Sequence, residues 1–532
     1  MTPIPTPIAK ALFFLGVLVV TGAVAIRSVG FVTLGASLLA FLAFVLLLTR
    51  PLARRARRER LEFAWWLAHD HESAALGAVT PGAPFTIRCF VRNRSTHSVR
   101  ITGVHPLLTD AAPLDAAPDL EIPARTRIEF ALRIVAPAAG RVVLHGLAIQ
   151  VRGALGLFTM PLYFPTHLVV KVLPSVAARS RANSAPRTGA PVDRTSSRAK
   201  RHRGDGTELR ELRELQPGDA FKRIAWRPSA RRGRLLVRET ESELQETRHL
   251  ILDVSGTMRG GAPGKRKLDD AIDLVARSAK ASLEDGHRVA LQCIDARLVA
   301  SANAGEGPRH LLRIYDALLA CTEIVDVDLT EIGSEDLASL VASYVRRQEG
   351  IDFRRADGTL DITQLAEHAR RVLGRHVLRA PVLAENHEHG TLRRYCLAHG
   401  IRLPYRPEPR EGGKTQAMLA ALREAGASTR TPRSIELVSD FDGVHDFTEV
   451  ARTVRFLRKR GHYVAVVLVD ARSRSPRRGV PLDDELRLIY GRAEDQHLSD
   501  AERAFRSAGA AVSRIRGASA AMSTPSHFPK AA

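Results

Sequence analysis

Two uncharged apolar runs, residues 11–26 and 29–49, open the chain, and Arg27 and Ser28 alone clearly separate them. In a bilayer every backbone amide must find a partner within the protein, and a continuous apolar run does so as a helix. The second run is long enough to cross a hydrocarbon core of about 30 Å; the first is slightly short and calls for local thinning or snorkelling by Lys10 and Arg27. The short break predicts a tight transmembrane hairpin, with a basic juxtamembrane segment completing residues 1–61. Arg50, Arg54, Arg55, Arg57, Arg58 and Arg60 follow the second run directly, which places that end on the cytoplasmic side. Two spans bring the chain back to its starting side, so both termini are expected in the cytoplasm. One span in place of two would move only the N-terminus outside. No small-residue cleavage site leads into a mature polar domain, so a secretory signal peptide is not expected.

At 532 residues the chain is too long for one ordinary domain, and its 45% hydrophobic content suffices for real cores. Cys89, Cys293, Cys321 and Cys396 are scattered with no CxxC pair, which argues against a disulfide framework or a zinc ribbon. The net charge of +22 is dispersed. Part of it lies beside the hairpin, where anionic lipid accounts for it. No stacking aromatics interleave with the basic runs, so nucleic acid is not an expected partner.

Residues 62–176 read as an all-β sandwich. Phe85-Thr-Ile-Arg-Cys-Phe-Val-Arg and Arg127-Ile-Glu-Phe-Ala-Leu-Arg-Ile-Val alternate, and Pro, Gly, Asn and Asp punctuate the segments between. Residues 177–206, rich in Arg, Ser, Ala and Pro, read as a disordered basic linker. Residues 207–247 form a charged strap with regular Leu, Trp226 and a turn at Pro217-Gly218-Asp219. It is either a surface segment laced with ion pairs or a docking strap. From 248 to 517 apolar strands alternate with amphipathic helices, which predicts an α/β doubly wound domain with a mostly parallel sheet. It carries a less regular insertion at about 322–411. Residues 518–532 read as a disordered tail.

The chemistry concentrates in the α/β segment. Leu250-Ile-Leu-Asp-Val-Ser-Gly-Thr257 is a strand ending in Asp253, Ser255 and Thr257, spaced two apart and able to face one point. Asp440 ends a second strand, and Thr415 opens a helix after Gly412-Gly413. Ligands of doubly wound sheets bind at such carboxyl edges. Each residue taken singly also has a bland role, as a helix cap or a satisfied turn. Gly412-Gly-Lys-Thr415 lacks the leading glycine and the preceding strand of a phosphate loop. In the insertion, His387-Glu-His389, Cys396 and His399, with His368 and His376 upstream, fit no standard zinc spacing, and Arg393 and Arg394 interrupt them.

Asp253-Val-Ser255-Gly-Thr257, Thr415 and Asp440 resemble the metal-ion-dependent adhesion site of a von Willebrand factor type A domain. There the pattern is Asp-x-Ser-x-Ser, a distant Thr and a more distant Asp. The wider chain resembles bacterial membrane proteins of the domain-of-unknown-function fifty-eight family. Gly206-Thr-Glu-Leu-Arg-Glu-Leu-Arg, Pro217-Gly-Asp219, Arg223-Ile-Ala-Trp226 and Ala230-Arg231 carry that resemblance, with Gly156-Leu-Phe158 and Val172-Leu-Pro174. It implies a Rossmann-type domain holding Mg²⁺, with Mn²⁺ or Ca²⁺ as alternatives, through Asp253, Ser255, Thr257, Thr415 and Asp440. It also implies a bacterial inner-membrane scaffold, not an enzyme, that grips an acidic residue of another protein and acts with a MoxR-type AAA+ ATPase in assembling complexes. Two alternatives stay open: a metal-dependent hydrolase at the same site, and a lipid- or nucleic-acid-binding protein acting through basic segments.

Overall fold

In the computed structural model the chain runs from strand β1 (Ile4–Pro5) into helices α1 (Pro7–Ala25) and α2 (Val29–Arg57). Strands β2 (Leu61–Leu67), β3 (Pro84–Asn93), β4 (Val99–Leu108), β5 (Ala112–Pro113), β6 (Leu120–Ile122), β7 (Arg127–Val135), β8 (Gly140–Arg152), β9 (Phe158–Phe164) and β10 (Leu168–Val172) follow. Next come β11 (Arg201–Glu214), α3 (Trp226–Arg232) and β12 (Leu236–Glu243). The remainder alternates: β13 (Thr247–Asp253), α4 (Lys267–Glu284), β14 (Arg288–Ile294), β15 (Leu298–Gly305) and α5 (Gly307–Ala320). Helices α6 (Ser334–Glu349), α7 (Ile362–Val372), α8 (His387–His399) and α9 (Gly413–Ala425) lead to β16 (Ser434–Ser439), α10 (Thr448–Lys459), β17 (Tyr463–Asp470), α11 (Pro481–Ser507) and β18 (Ala511–Arg516). The structure describes residues 3–57, 61–68, 79–109, 111–114, 119–174, 201–216, 221, 224–243, 246–373, 382–406, 412–427, 432–470 and 481–516. Most of the predicted linker, the Pro217-Gly218-Asp219 turn and the predicted disordered tail lie outside the described residues. Strand β11 starts at Arg201, inside the span predicted as linker, because its first residues pair with β12 across a register shift between Arg203 and Glu208.

The contacts divide the chain into two compact units. One holds residues 1–178, 259–269 and 318–409; the other holds 179–258, 270–317 and 410–532.

In the first unit, α1 and α2 are both long and apolar enough to cross a membrane. They meet through glycine: a Cβ on Gly35 would lie 2.7 Å from Val20 Cγ2 and 3.1 Å from the Gly16 carbonyl oxygen. Small residues let two apolar helices approach where the hydrophobic effect offers no drive. Ile4 and Pro5 pair with Thr159 and Phe158 of β9, and the Thr6 hydroxyl donates to the Leu157 carbonyl at 3.0 Å. At the same end of the pair, Leu42 and Val45 of α2 pack with Ala9, Leu157 and Phe158. The chain therefore leaves the β domain through α1 and re-enters it through α2.

That domain consists of two antiparallel sheets, β1-β9-β8-β4-β6 with β10 beside β8, and β2-β3-β7-β5. Alternating residues of β3 are buried, and Ile87 and Val91 share a core with Ile101 and Leu144 of the other sheet. The expected β-sandwich is present.

The insertion forms its own small helical core from Leu337, Val341, Leu365, Leu392 and Tyr395. It belongs to the unit of the β domain, not to that of the α/β sheet into which it is spliced. Arg141 pairs with Glu323 at 3.3 Å, and Tyr344 Oη lies 2.9 Å from His145 Nδ1. Burial lowers His145 to about 4 and His399 to about 2. His399 Nδ1 lies 3.0 Å from the Tyr395 carbonyl, which only accepts, so Nδ1 carries the proton of the neutral ring. The unfolded chain takes up this proton below about pH 6.5 and the folded one does not, so stability falls as pH drops below that value. Glu323, pushed up to about 7 by burial against the opposing effect of Arg141, titrates in the opposite sense. The difference between wild type and His399→Gln isolates the histidine. Between pH 7 and pH 5 the wild type is expected to lose about 2 kcal/mol more than the variant, read by hydrogen exchange in α8 after intrinsic-rate correction.

In the second unit the sheet order is β15-β14-β13-β16-β17-β18, with β15 antiparallel and the rest parallel. Met418 and Leu422 of α9, Val454 of α10 and Phe505 of α11 share its core with Ile251, Leu437 and Val466. Helix α11 and strand β18 have no counterpart among the elements expected from sequence: β18 is an edge strand mixing Ser and Arg with its apolar residues, so its strand signal is weak. From β13 the chain builds one side of the sheet through β14 and β15, then the other through β16, β17 and β18. The switch point therefore falls between β13 and β16.

Candidate functional site

Asp253 is the last residue of β13, and Asp440 directly follows β16, so the topology alone sets two carboxylates at the switch point. Asp253, Ser255 and Asp440 are buried and Thr257 is partly so. The Ser255 amide donates to Asp253 Oδ1 at 2.9 Å, and the Ser439 hydroxyl donates to Asp253 Oδ2 at 2.6 Å. The Thr257 hydroxyl donates to Asp440 Oδ1 at 3.1 Å and lies 3.1 Å from Ser255 Oγ. The Asp442 amide donates to Asp440 Oδ1 at 3.1 Å. Between them Phe441 has φ of 54°, held by the hydrogen bond that its N–H donates to Ser439 Oγ at 2.9 Å and by His497 Nε2 lying 3.0 Å from its carbonyl oxygen. A buried aromatic residue in this region stores about 1–3 kcal/mol.

The centre of the crevice is filled by a lysine. Lys414 Nζ lies 2.8 Å from Asp253 Oδ2 and 2.8 Å from Asp440 Oδ1. It also donates to the Asp442 carbonyl at 2.8 Å and to Thr257 Oγ1 at 3.2 Å. Its side chain is 2% exposed. Burial works against the charge, but Asp253 and Asp440 outweigh it and hold the ammonium above the ordinary lysine range.

Four of the five expected ligands, Asp253, Ser255, Thr257 and Asp440, are thus brought together. Thr415 is not: it is half-buried and makes no hydrogen bond to either carboxylate. Neighbouring helix residues point about 100° apart, so Lys414 and Thr415 cannot both face the crevice. Lys414 takes the place assigned to Thr415. Its signal was present in the sequence, because Lys414, Ala417, Met418, Ala421, Leu422 and Ala425 form one buried stripe at helical spacing. Ser439 is the other residue the ligand set omitted.

With the Lys414 ammonium between the two carboxylates, the crevice does not fit Mg²⁺. That ion requires six oxygens at about 2.0–2.1 Å, whereas the oxygens here surround an ammonium at hydrogen-bond distances. An ion among them would share a buried crevice with a fixed positive charge. The histidines of the insertion do not converge on a site either. His368 faces Glu349 at 3.0 Å, His389 faces Glu385 at 3.5 Å, and His399 stacks on Tyr395. His376 lies outside the described residues. Among the described residues no group of three or more His, Cys, Asp or Glu side chains is placed to hold a metal ion.

The family model described as "Protein of unknown function DUF58" matches residues 211–389, which span nearly all of the strap, the start of the α/β domain and much of the insertion. No curated protein matches the chain. Among solved structures, a FixG-related protein from Vibrio parahaemolyticus is 8% identical, with 21% of this chain and 97% of that chain covered and a TM-score of 0.15. A structural-genomics target, SoR45, is 9% identical over 21% of this chain and 85% of that one, with a TM-score of 0.14. A protein from Archaeoglobus fulgidus is 13% identical over 22% of this chain and 98% of that one, with a TM-score of 0.11. Likenesses this slight carry no argument about fold or function.

Proposed function

We propose that the protein is a membrane-anchored scaffold of the bacterial inner membrane whose soluble domains lie in the cytoplasm and bind another protein without catalysing a reaction. The observation that carries this reading is the return of the helical pair: β1 and β9 pair on one side of it, and α2 re-enters the same domain. An even number of spans, followed by Arg50, Arg54 and Arg55, favours a cytoplasmic β domain. A scaffold role is favoured over hydrolysis by the state of the carboxylates. Both Asp253 and Asp440 are engaged by the Lys414 ammonium, so neither is free to act as a general base.

A MoxR-type AAA+ ATPase is the proposed partner, on the resemblance of the strap and its flanking motifs. The grip on an acidic partner residue through Mg²⁺ does not suit a crevice closed by lysine, so partner binding is proposed to be independent of divalent ions. Affinity purification of the full-length chain from its own membranes, with Mg²⁺ or with EDTA, tests this. Recovery of such an ATPase in equal amounts from both is the expected outcome. Its absence from both rules out the partner, and its loss with EDTA alone rules out the metal-independent grip.

A further inference from the structure

The crevice between β13 and β16 has the oxygens of a divalent-cation site and the cation of an ion pair. Around Lys414 Nζ stand one oxygen from each of Asp253 and Asp440, the Asp442 carbonyl and the Thr257 hydroxyl, with Ser255 Oγ beside the last. An ammonium has three protons to donate, and four acceptors already lie within 3.2 Å of it. Nothing is left for a partner's carboxylate. The lysine cannot simply swing away, since it continues the stripe that seats α9 on the sheet through Met418 and Leu422. Five oxygens with water completing the shell would satisfy a hard divalent ion, once the ammonium no longer occupies the middle.

We infer that Lys414 is a tethered cation standing where a divalent ion would stand, and that its removal uncovers a latent site for Mg²⁺ or Mn²⁺ built from Asp253, Ser255, Thr257, Asp440 and the Asp442 carbonyl. The inference does not depend on the identity of any partner. In the native chain the crevice is complete without metal. Chelators leave it unchanged, and its charge is set by the sequence rather than by ion supply.

The test uses the full-length chain in detergent micelles, with Mn²⁺ followed by electron spin resonance and thermal unfolding compared in Mg²⁺ and EDTA. Wild type is expected to show no Mn²⁺ site that depends on Asp253, and the same unfolding midpoint in both media. Lys414→Ala is expected to gain one Mn²⁺ per chain, to lose it again when combined with Asp253→Asn, and to unfold several degrees higher in Mg²⁺ than in EDTA. A stoichiometric ion on the wild type that Asp253→Asn abolishes would overturn the inference, as would a folded Lys414→Ala with no response to either ion. Should Lys414→Ala fail to fold in both media, the wild-type titration decides alone: an Asp253-dependent ion overturns the inference, and its absence supports it.

Discussion

Replacing Lys414 with methionine in the absence of divalent ions is expected to cost the α/β unit about 3–5 kcal/mol, because it leaves two buried carboxylates without their counter-charge. The stem of methionine fills much of the same space, so the loss reports charge rather than a cavity. Asp253 retains the Ser255 amide and the Ser439 hydroxyl, and Asp440 retains Thr257 and the Asp442 amide, but neutral donors offset only part of a buried negative charge. Adding Asp253→Asn and Asp440→Asn to Lys414→Met should restore most of the lost stability, since a buried ion pair exchanged for neutral groups is often nearly neutral in energy. A chain with two units need not unfold in one step, so the reading belongs to local hydrogen exchange. Amide protection in β13 and β16 should fall by about two to four orders of magnitude in the single variant and recover in the triple. Unchanged protection in Lys414→Met would mean that the ion pair does not hold the switch point together.

The second large effect lies in the insertion. Arg393 is 2% exposed and turns its guanidinium onto the loop between α5 and α6. Nη1 donates to the Val325 carbonyl at 2.7 Å and to Thr330 Oγ1 at 2.8 Å, and Nη2 donates to the Ile332 carbonyl at 3.4 Å. Hydrogen bonds from a charged donor contribute about 1.5–3 kcal/mol each, and the stranded acceptors would be buried. Arg393→Met is therefore expected to cost about 3 kcal/mol. Exchange should rise in residues 325–332 and in α8, with the β-sandwich strands far less affected. A uniform loss across the whole first unit would instead show that the insertion and the sandwich open together.

Much of the architecture was legible because burial leaves a period in the sequence. The two apolar runs became α1 and α2, with α2 continued past Pro51 to Arg57, where Leu, Ala and Arg favour helix and Pro51 does not. Alternation in Phe85–Val91 and Arg127–Val135 marked β3 and β7. The carboxyl edges of β13 and β16 pointed to Asp253 and Asp440 from the sequence alone. What was hidden follows from contacts distant in sequence. No local pattern states that residues 318–409 join the β domain, since Tyr344 and His145 meet across 199 positions. Thr415 was expected from the resemblance to a Thr-bearing pattern, whereas helical phase sets the neighbouring Lys414 on the buried face. The stripe from Lys414 to Ala425 held the answer, but a lysine in an apolar stripe reads as an exception until the two aspartates opposite it are placed.

The central claim is an anchor whose two spans leave the soluble domains on one side of the membrane. It is tested most directly by labelling single introduced cysteines with a membrane-impermeant maleimide on intact cells. The native Cys89, Cys293, Cys321 and Cys396 are all buried and should contribute little background. Ser28→Cys, in the turn between α1 and α2, should react from outside, whereas Ile4→Cys beside β9 and the exposed Thr96→Cys of the β domain should react only after the cells are opened. Reaction of all three from outside, or of Ile4→Cys from outside with Thr96→Cys protected, would contradict the account.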